Sequence, residues 1–138
     1  MEDCLFCKIV AGNIPCYKVY EDERTLAFLD INPINRGHTL VIPKVHVSRI
    51  SEFEDEDLVG FYRALQKVTG AVERAVRLDG LNLFVNQGEV AGQVVPHFHC
   101  HISPRLKGDG LRMEIPSLKL SEEEFVDTMV KIKMALKD

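Results

Sequence analysis

The chain has 138 residues, 46% of them apolar and 28% charged, with a net charge of −4. That length suits one domain, read here as residues 1–138, and the acidic balance gives no bulk attraction for nucleic acid or an anionic lipid surface. No apolar run approaches the roughly 20 residues of a membrane helix. Met1-Glu2-Asp3-Cys4 carries acid where a secretory signal carries base. The expectation is a cytoplasmic protein without nucleic-acid or membrane partners.

In chain order, Leu5 to Ala11 reads as a short helix stopped at Gly12, with Pro15 beyond it. Lys18–Tyr20 and Thr25–Asp30 read as strands joined by the polar turn Glu21-Asp22-Glu23. Asn32-Pro33 and Arg36-Gly37 mark a loop, and His38–Ile42 is a strand that Pro43 stops. Ser51 and Glu54 have capping-box spacing ahead of a long helix, with Leu58, Phe61, Tyr62, Leu65, Val68, Val72 and Val76 as its apolar stripe. Asp79-Gly80 closes that helix. Leu81–Gln87 and His97–Ser103 read as strands around a glycine-containing segment, Gly88–Val95. A second capping box, Ser121 and Glu124, opens a last helix with Phe125, Met129, Ile132 and Leu136 on one face. Short strands around one long helix predict an α+β fold with a mainly antiparallel sheet of about five strands, flanked by a short N-terminal helix and a C-terminal helix.

Three of the five histidines, His97, His99 and His101, fall at period two. On a strand they share one face, while Phe98, Cys100 and Ile102 share the other, which suits a core. Scattered surface histidines would not have this alternation. Two chemical readings stand. Three imidazoles can hold a catalytic metal with an open position for water. Alternatively, one neutral imidazole attacks phosphorus through one nitrogen while the other donates to an acceptor.

Four cysteines are present, and Cys4 and Cys7 form a C-x-x-C pair. In a reducing compartment they are thiols or metal ligands rather than a bridge. A closed structural zinc site would need further ligands, and histidine is the usual complement. The other reading is a pair of buried thiols on a short helix.

The segment Gly92-Gln93-Val94-Val95-Pro96-His97-Phe98-His99-Cys100-His101 resembles the G-Q-[ST]-V-x-H-x-H-x-H signature of the histidine-triad (HIT) family. Phe28-Leu29-Asp30-Ile31-Asn32-Pro33, the run Gly37 to His46, and Leu5 to Gly12 followed by Ile14-Pro15 resemble the same family in the same order. The likeness runs from about Cys4 to Arg105. It implies a HIT-like antiparallel sheet with packed helices, a homodimer, and hydrolysis or transfer at the α-phosphate of purine nucleotides through a nucleotidyl-histidine. Phosphoramidates and dinucleoside polyphosphates are the implied substrates.

By resemblance His99 is the nucleophile, and His101 and His38 support it. Asp30 takes the ribose hydroxyls, Phe6, Ile9, Phe28 and Ile31 form the base slot, and Asn86 faces phosphate or ribose. The backbone of Gly92, Gln93 and Val94 cradles the α-phosphate. Cys4, Cys7, His46 and His97 match a structural zinc site of prokaryotic members. Val94 departs from the family Ser or Thr, whose hydroxyl is linked to the leaving group; this keeps open a nucleotide-binding regulatory module with negligible turnover. Ser103 stands where the pattern is apolar. The segment after His101 resembles the dinucleoside polyphosphate branch and the N-terminal half the phosphoramidase branch. His101 itself separates the chain from the transferase branch, which has Gln there.

Overall fold

Alternation along three strands organises the molecule. The structure, a computed structural model, describes residues 3–112 and 114–137. Strands β1 (Lys18–Glu21), β2 (Thr25–Leu29), β3 (Thr39–Pro43), β4 (Gly80–Val85) and β5 (Cys100–Arg105) form one antiparallel sheet of five, in the order β1-β2-β3-β5-β4. Ala27, Val41, Cys100 and Ile102 point to one face, where helix α2 (Asp55–Ala75) lays Phe61, Leu65, Val68 and Val72 on them. Leu26, Phe28, Leu40 and Ile42 point to the other face and bury Cys4 and Phe6, which bracket the start of helix α1 (Leu5–Val10). Because β2 and β3 are covered on both sides, they read as continuous apolar runs.

Helix α2 starts at Asp55, later than the capping-box spacing predicts. Ser51 lies in a single 3₁₀ turn, Ile50–Glu52, and Glu54 is the N-cap without a side-chain cap bond. Asp55, Glu56 and Asp57 instead place negative charge in the first turn, favourable for the helix dipole. Arg24 ties Asp57 at 2.6 Å and Glu56 at 3.0 Å. The helix ends at Ala75, and Gly80 opens β4 rather than closing α2.

Strand β5 also starts later than predicted, at Cys100 rather than His97. Val41 pairs with Cys100, so continuing the register would set Phe98 opposite Pro43, which has no N–H to offer. Phe98 N–H instead donates to Val47 O at 2.6 Å. The alternation nevertheless carries through: Phe98, Cys100 and Ile102 all enter the core under α2.

Helix α3 (Glu122–Ala135) has the expected capping box between Ser121 and Glu124. None of its described residues is buried; Phe125 is 59% and Ile132 58% exposed. No helix among the described residues is long and apolar enough to cross a membrane.

Candidate active site and metal centre

The five histidines divide into two groups on the α1 side of the sheet. Cys4, Cys7, His46 and His97 present four ligand atoms within 4.8 Å of one another. Cys4 caps α1, with Cys7 N–H donating to its sulfur at 3.4 Å. Cys4 Sγ lies 3.4 Å from His97 Nδ1, Cys7 Sγ 3.2 Å from His46 Nδ1, and Cys7 Sγ 3.6 Å from His97 Nδ1. Tetrahedral zinc with these donors would separate ligand atoms by roughly 3.3–3.8 Å. The orientation fits as well. His97 Nε2–H donates to Pro43 O at 2.8 Å, which leaves Nδ1 as a bare lone pair facing the sulfurs. Burial keeps His97 neutral, its pKa pushed down to about 4. Burial, then Cys4, raises the Cys7 thiol; a bound cation reverses that balance. The set fits a metal ion.

The second group is His38, His99 and His101. Backbone partners fix their tautomers, because a carbonyl only accepts and an amide only donates. His99 Nδ1 is 2.7 Å from His97 O, so Nδ1 holds the proton and Nε2 keeps a lone pair. Ile34 N–H donates to His38 Nδ1 at 3.0 Å, so His38 carries its proton on Nε2. That proton points to His101 Nδ1, 3.0 Å away, and His101 then carries its own on Nε2. Asp30 Oδ2 stands 3.6 Å from His38 Nε2, while Oδ1 accepts from Asn32 N–H at 2.9 Å.

Asp30, His38 and His101 are also close enough to surround a metal. The Ile34 amide argues against it: a metal on His38 Nε2 would force the ring proton onto Nδ1, against another N–H. A catalytic metal on His97, His99 and His101 fits no better, since His97 turns both nitrogens away from that group.

Burial pushes the pKa of His38 and His99 below the ordinary imidazole value, against the pull of Asp30. His101 falls to about 4, first through burial and then through His99 and His38. All are neutral at pH 7, the state a nitrogen nucleophile requires.

His99 and His101 line a cavity of about 460 Å³ between α1, the loop after β2 and the segment before His97. Phe6, Ile9, Phe28, Asp30, Ile31, Asn86, Gly92 and Val94 line it too, whereas Gln93, nominated with them, does not. The Phe6 and His99 rings meet in a T-shaped pair, centroids 5.1 Å apart. His38 lies behind His101, 3% exposed.

The loop before the triad narrows one expectation. Gly92 N–H donates to Glu89 O and Gln93 N–H to Gly88 O, so both amides are used internally. The Gln93 side chain braces the loop, accepting from Gly88 N–H at 2.9 Å and donating to Ser48 O at 3.1 Å. Of the three amides, only that of Val94 has no hydrogen-bond partner among the described residues. Gly92 itself is required: its φ is +95°, and a Cβ would meet Asn86 Nδ2 at 3.3 Å.

Sequence reasoning missed several contributors. Cys16, Leu5, Ile14, Pro15, Leu40 and Val95 complete the apolar wall. Phe84 stacks on His101 with centroids 4.3 Å apart and planes 8° apart. Its signal was present: Phe84, on β4, is two residues before Asn86, the spacing at which extended chain returns side chains to one side. The Ile34 amide and the His97 and Pro43 carbonyls carried no sequence signal, because any residue supplies them.

A nucleophile-competent histidine held against an apolar cleft, two residues beyond a histidine that completes a cysteine–histidine metal set with helix α1, defines a histidine-triad domain. A family model described as the HIT domain matches residues 11–108, and the chain belongs to that family. Protein hit of Bacillus subtilis is 53% identical over 110 residues, covering 79% of this chain and 76% of its own. Adenosine 5'-monophosphoramidase hnt1 of Schizosaccharomyces pombe is 43% identical (88% and 89% covered). Adenylylsulfatase HINT3 of Arabidopsis thaliana is 41% identical (88% and 64% covered). Among solved structures, SMU.412c of Streptococcus mutans superposes with a TM-score of 0.91 at 41% identity, covering 99% of this chain and 87% of its own. A zinc-bound histidine-triad protein of Mycobacterium smegmatis gives 0.73 at 35% identity, covering 97% and 98%.

Proposed function

We propose that the protein hydrolyses purine nucleotides at the α-phosphate through a nucleotidyl-His99 intermediate. The observation that carries this reading is the 2.7 Å bond from His99 Nδ1–H to His97 O, which leaves the Nε2 lone pair on a histidine lining the cavity. Two relatives named as an adenosine 5'-monophosphoramidase and an adenylylsulfatase support hydrolysis of nucleotides.

In the first step His99 Nε2 forms a bond to α-phosphorus, and the bond to the leaving group breaks with its electron pair. His101 Nε2–H donates to the phosphoryl oxygens, and His38 Nε2–H holds His101 in that tautomer. In the second step water adds to phosphorus, the P–N bond breaks back to His99, and the monophosphate leaves. The released water proton neutralises the leaving base or passes to solvent. The Val94 amide is the backbone donor for the α-phosphate, Asp30 accepts the ribose hydroxyls, and Phe6, Ile9, Phe28 and Ile31 enclose the base.

The same reading assigns one structural zinc to Cys4, Cys7, His46 and His97, supported by the ligand spacing and a zinc-bound relative. It takes the active form as a cytoplasmic homodimer, for which the exposed apolar face of α3 is the supporting feature.

Purified protein is given adenosine 5'-phosphoramidate, adenosine 5'-phosphosulfate or a diadenosine polyphosphate, beside His99→Ala, and monophosphate release is followed by chromatography. Release lost in the variant supports the reading. Tight monophosphate binding with no turnover of any substrate replaces it with a nucleotide-binding regulatory module, which Val94, lacking a hydroxyl beside the reaction centre, favours.

A further inference from the structure

The loop between β2 and β3 decides where the His38 proton sits, yet its apex is largely solvent-facing. Ile31 is 76% and Ile34 41% exposed. The loop is closed on itself by Asp30 N–H to His38 O at 2.9 Å and His38 N–H to Asn35 O at 3.2 Å. Among the described residues, Asn35 is the side chain between 31 and 37 that hydrogen-bonds outside this loop. Its Nδ2 donates to Pro104 O at 2.8 Å and to Asp109 Oδ2 at 3.1 Å.

Asp109 is a built anchor. Its side chain is 7% exposed. It accepts from Arg105 Nε at 2.8 Å and Nη2 at 3.0 Å, from Leu106 N–H at 3.1 Å and from Leu111 N–H at 3.0 Å. Arg105 in turn donates to Asn82 Oδ1 on β4 at 2.9 Å. The turn after β5 is already closed by the Leu106 and Leu111 amides. The bond to Asn35 is therefore not needed for that turn; it fastens a second loop, 74 residues earlier, to the turn after β5, while the Pro104 bond fastens it to the strand that carries His101.

We propose that Asn35, held by Asp109 and Pro104 O, is a positioning residue that fixes the tautomer of His38. Asn35 follows Ile34 directly. With Asn35 pinned, the Ile34 amide meets His38 Nδ1 and the ring proton has only Nε2, facing His101. With Asn35 freed, the apex can turn, and the ring proton can reside on Nδ1. His101 Nδ1 then loses its donor, the His101 proton is drawn to Nδ1 to bond the bare His38 Nε2, and the Nε2–H facing the cavity is lost. The tautomer claim stands on its own; its consequence for turnover rests on the function proposed above.

The test is ¹⁵N-edited long-range NMR of histidine rings in the zinc-loaded protein, compared with Asn35→Ala and Asp109→Asn. Wild-type His38 should show a proton on Nε2 and a bare Nδ1. Asn35→Ala should mix the two tautomers, and kcat should fall about 10- to 100-fold with KM changed far less. Amide fingerprints establish folding; should Asn35→Ala not fold, Asp109→Asn, which preserves side-chain size, carries the same expectation. A wild-type Nδ1–H tautomer, or an unchanged Nε2–H tautomer in every folded variant, overturns the proposal. Tautomer mixing in a variant of a wild type that turns over no nucleotide would uphold it while removing the proposed function.

Discussion

His97 serves His99 through its main chain while its side chain faces two thiols. Its carbonyl accepts His99 Nδ1–H at 2.7 Å, and its Nδ1 lies 3.4 Å from Cys4 Sγ and 3.6 Å from Cys7 Sγ. One residue thus joins the metal set to the tautomer of the proposed nucleophile. Holding the His97 ring anchors the Cα from which that carbonyl extends.

Metal loss is therefore expected to affect both stability and rate. Chelation, or Cys4→Ser, should remove stoichiometric zinc and lower the unfolding free energy by about 3 kcal/mol or more. It should also reduce kcat at saturating nucleotide. Elemental analysis, chemical denaturation and steady-state kinetics on the same samples check this; full zinc content in Cys4→Ser would refute the ligand set.

Replacing His99 with Ala should lower turnover by about 10⁴-fold or more, because no other neutral imidazole has a free lone pair on the cavity wall. Monophosphate binding should survive. Retained turnover in the variant would remove the nucleophile assignment.

Stability should fall in acid. The pKa of His101 is about 4 in the folded chain against an ordinary 6.5, and that of His38 is shifted in the same direction. The unfolded state therefore binds more protons between those values. Stability from burying neutral imidazole is complete above pH 6.5 and is lost as the pH falls toward 4. His101→Gln should flatten the slope by about one proton in urea unfolding followed from pH 7.5 to 4.5. An unchanged slope would show that His101 titrates normally.

On the proposed mechanism, Val94 is expected to restrict the leaving groups. An amine needs a proton as it departs, whereas sulfate leaves as a stable anion. Val94→Ser should raise phosphoramidate turnover by about 10-fold and phosphosulfate turnover much less. Equal gains on both substrates would argue that the hydroxyl acts on binding instead.

Ser103 is 1% exposed, and its hydroxyl has no partner among the described residues. Removing a buried, unsatisfied hydroxyl should be neutral or stabilising, so Ser103→Ala is expected to change stability by about 0 to +1 kcal/mol. Denaturant unfolding reads this directly; a loss of more than about 1 kcal/mol would reveal a hidden partner.

Much of the site was legible in residue type and spacing. Period two alone separates Phe98, Cys100 and Ile102 from the histidines, since a strand offers two faces whatever surrounds it. The family motifs nominated Cys4, Cys7, His46 and His97 as one set, and their ligand atoms meet. Boundaries were less legible. Ser51 and Glu54 have the spacing of a cap, but the Glu52 carboxylate accepts from Ser48 and the chain makes a 3₁₀ turn before α2. The late start of β5 depended on which residue faces Phe98, a matter of register between distant strands.

By itself the sequence determined the alternation, the ligand types and the absence of a long apolar span, because these follow from local chemistry and short spacings. Only the tertiary structure decided which nitrogen of each imidazole carries a proton. That choice rests on main-chain groups, the Ile34 amide and the carbonyls of Pro43 and His97. Every residue possesses such groups, so their direction is set by the folded path of the backbone and not by the identity of the side chain.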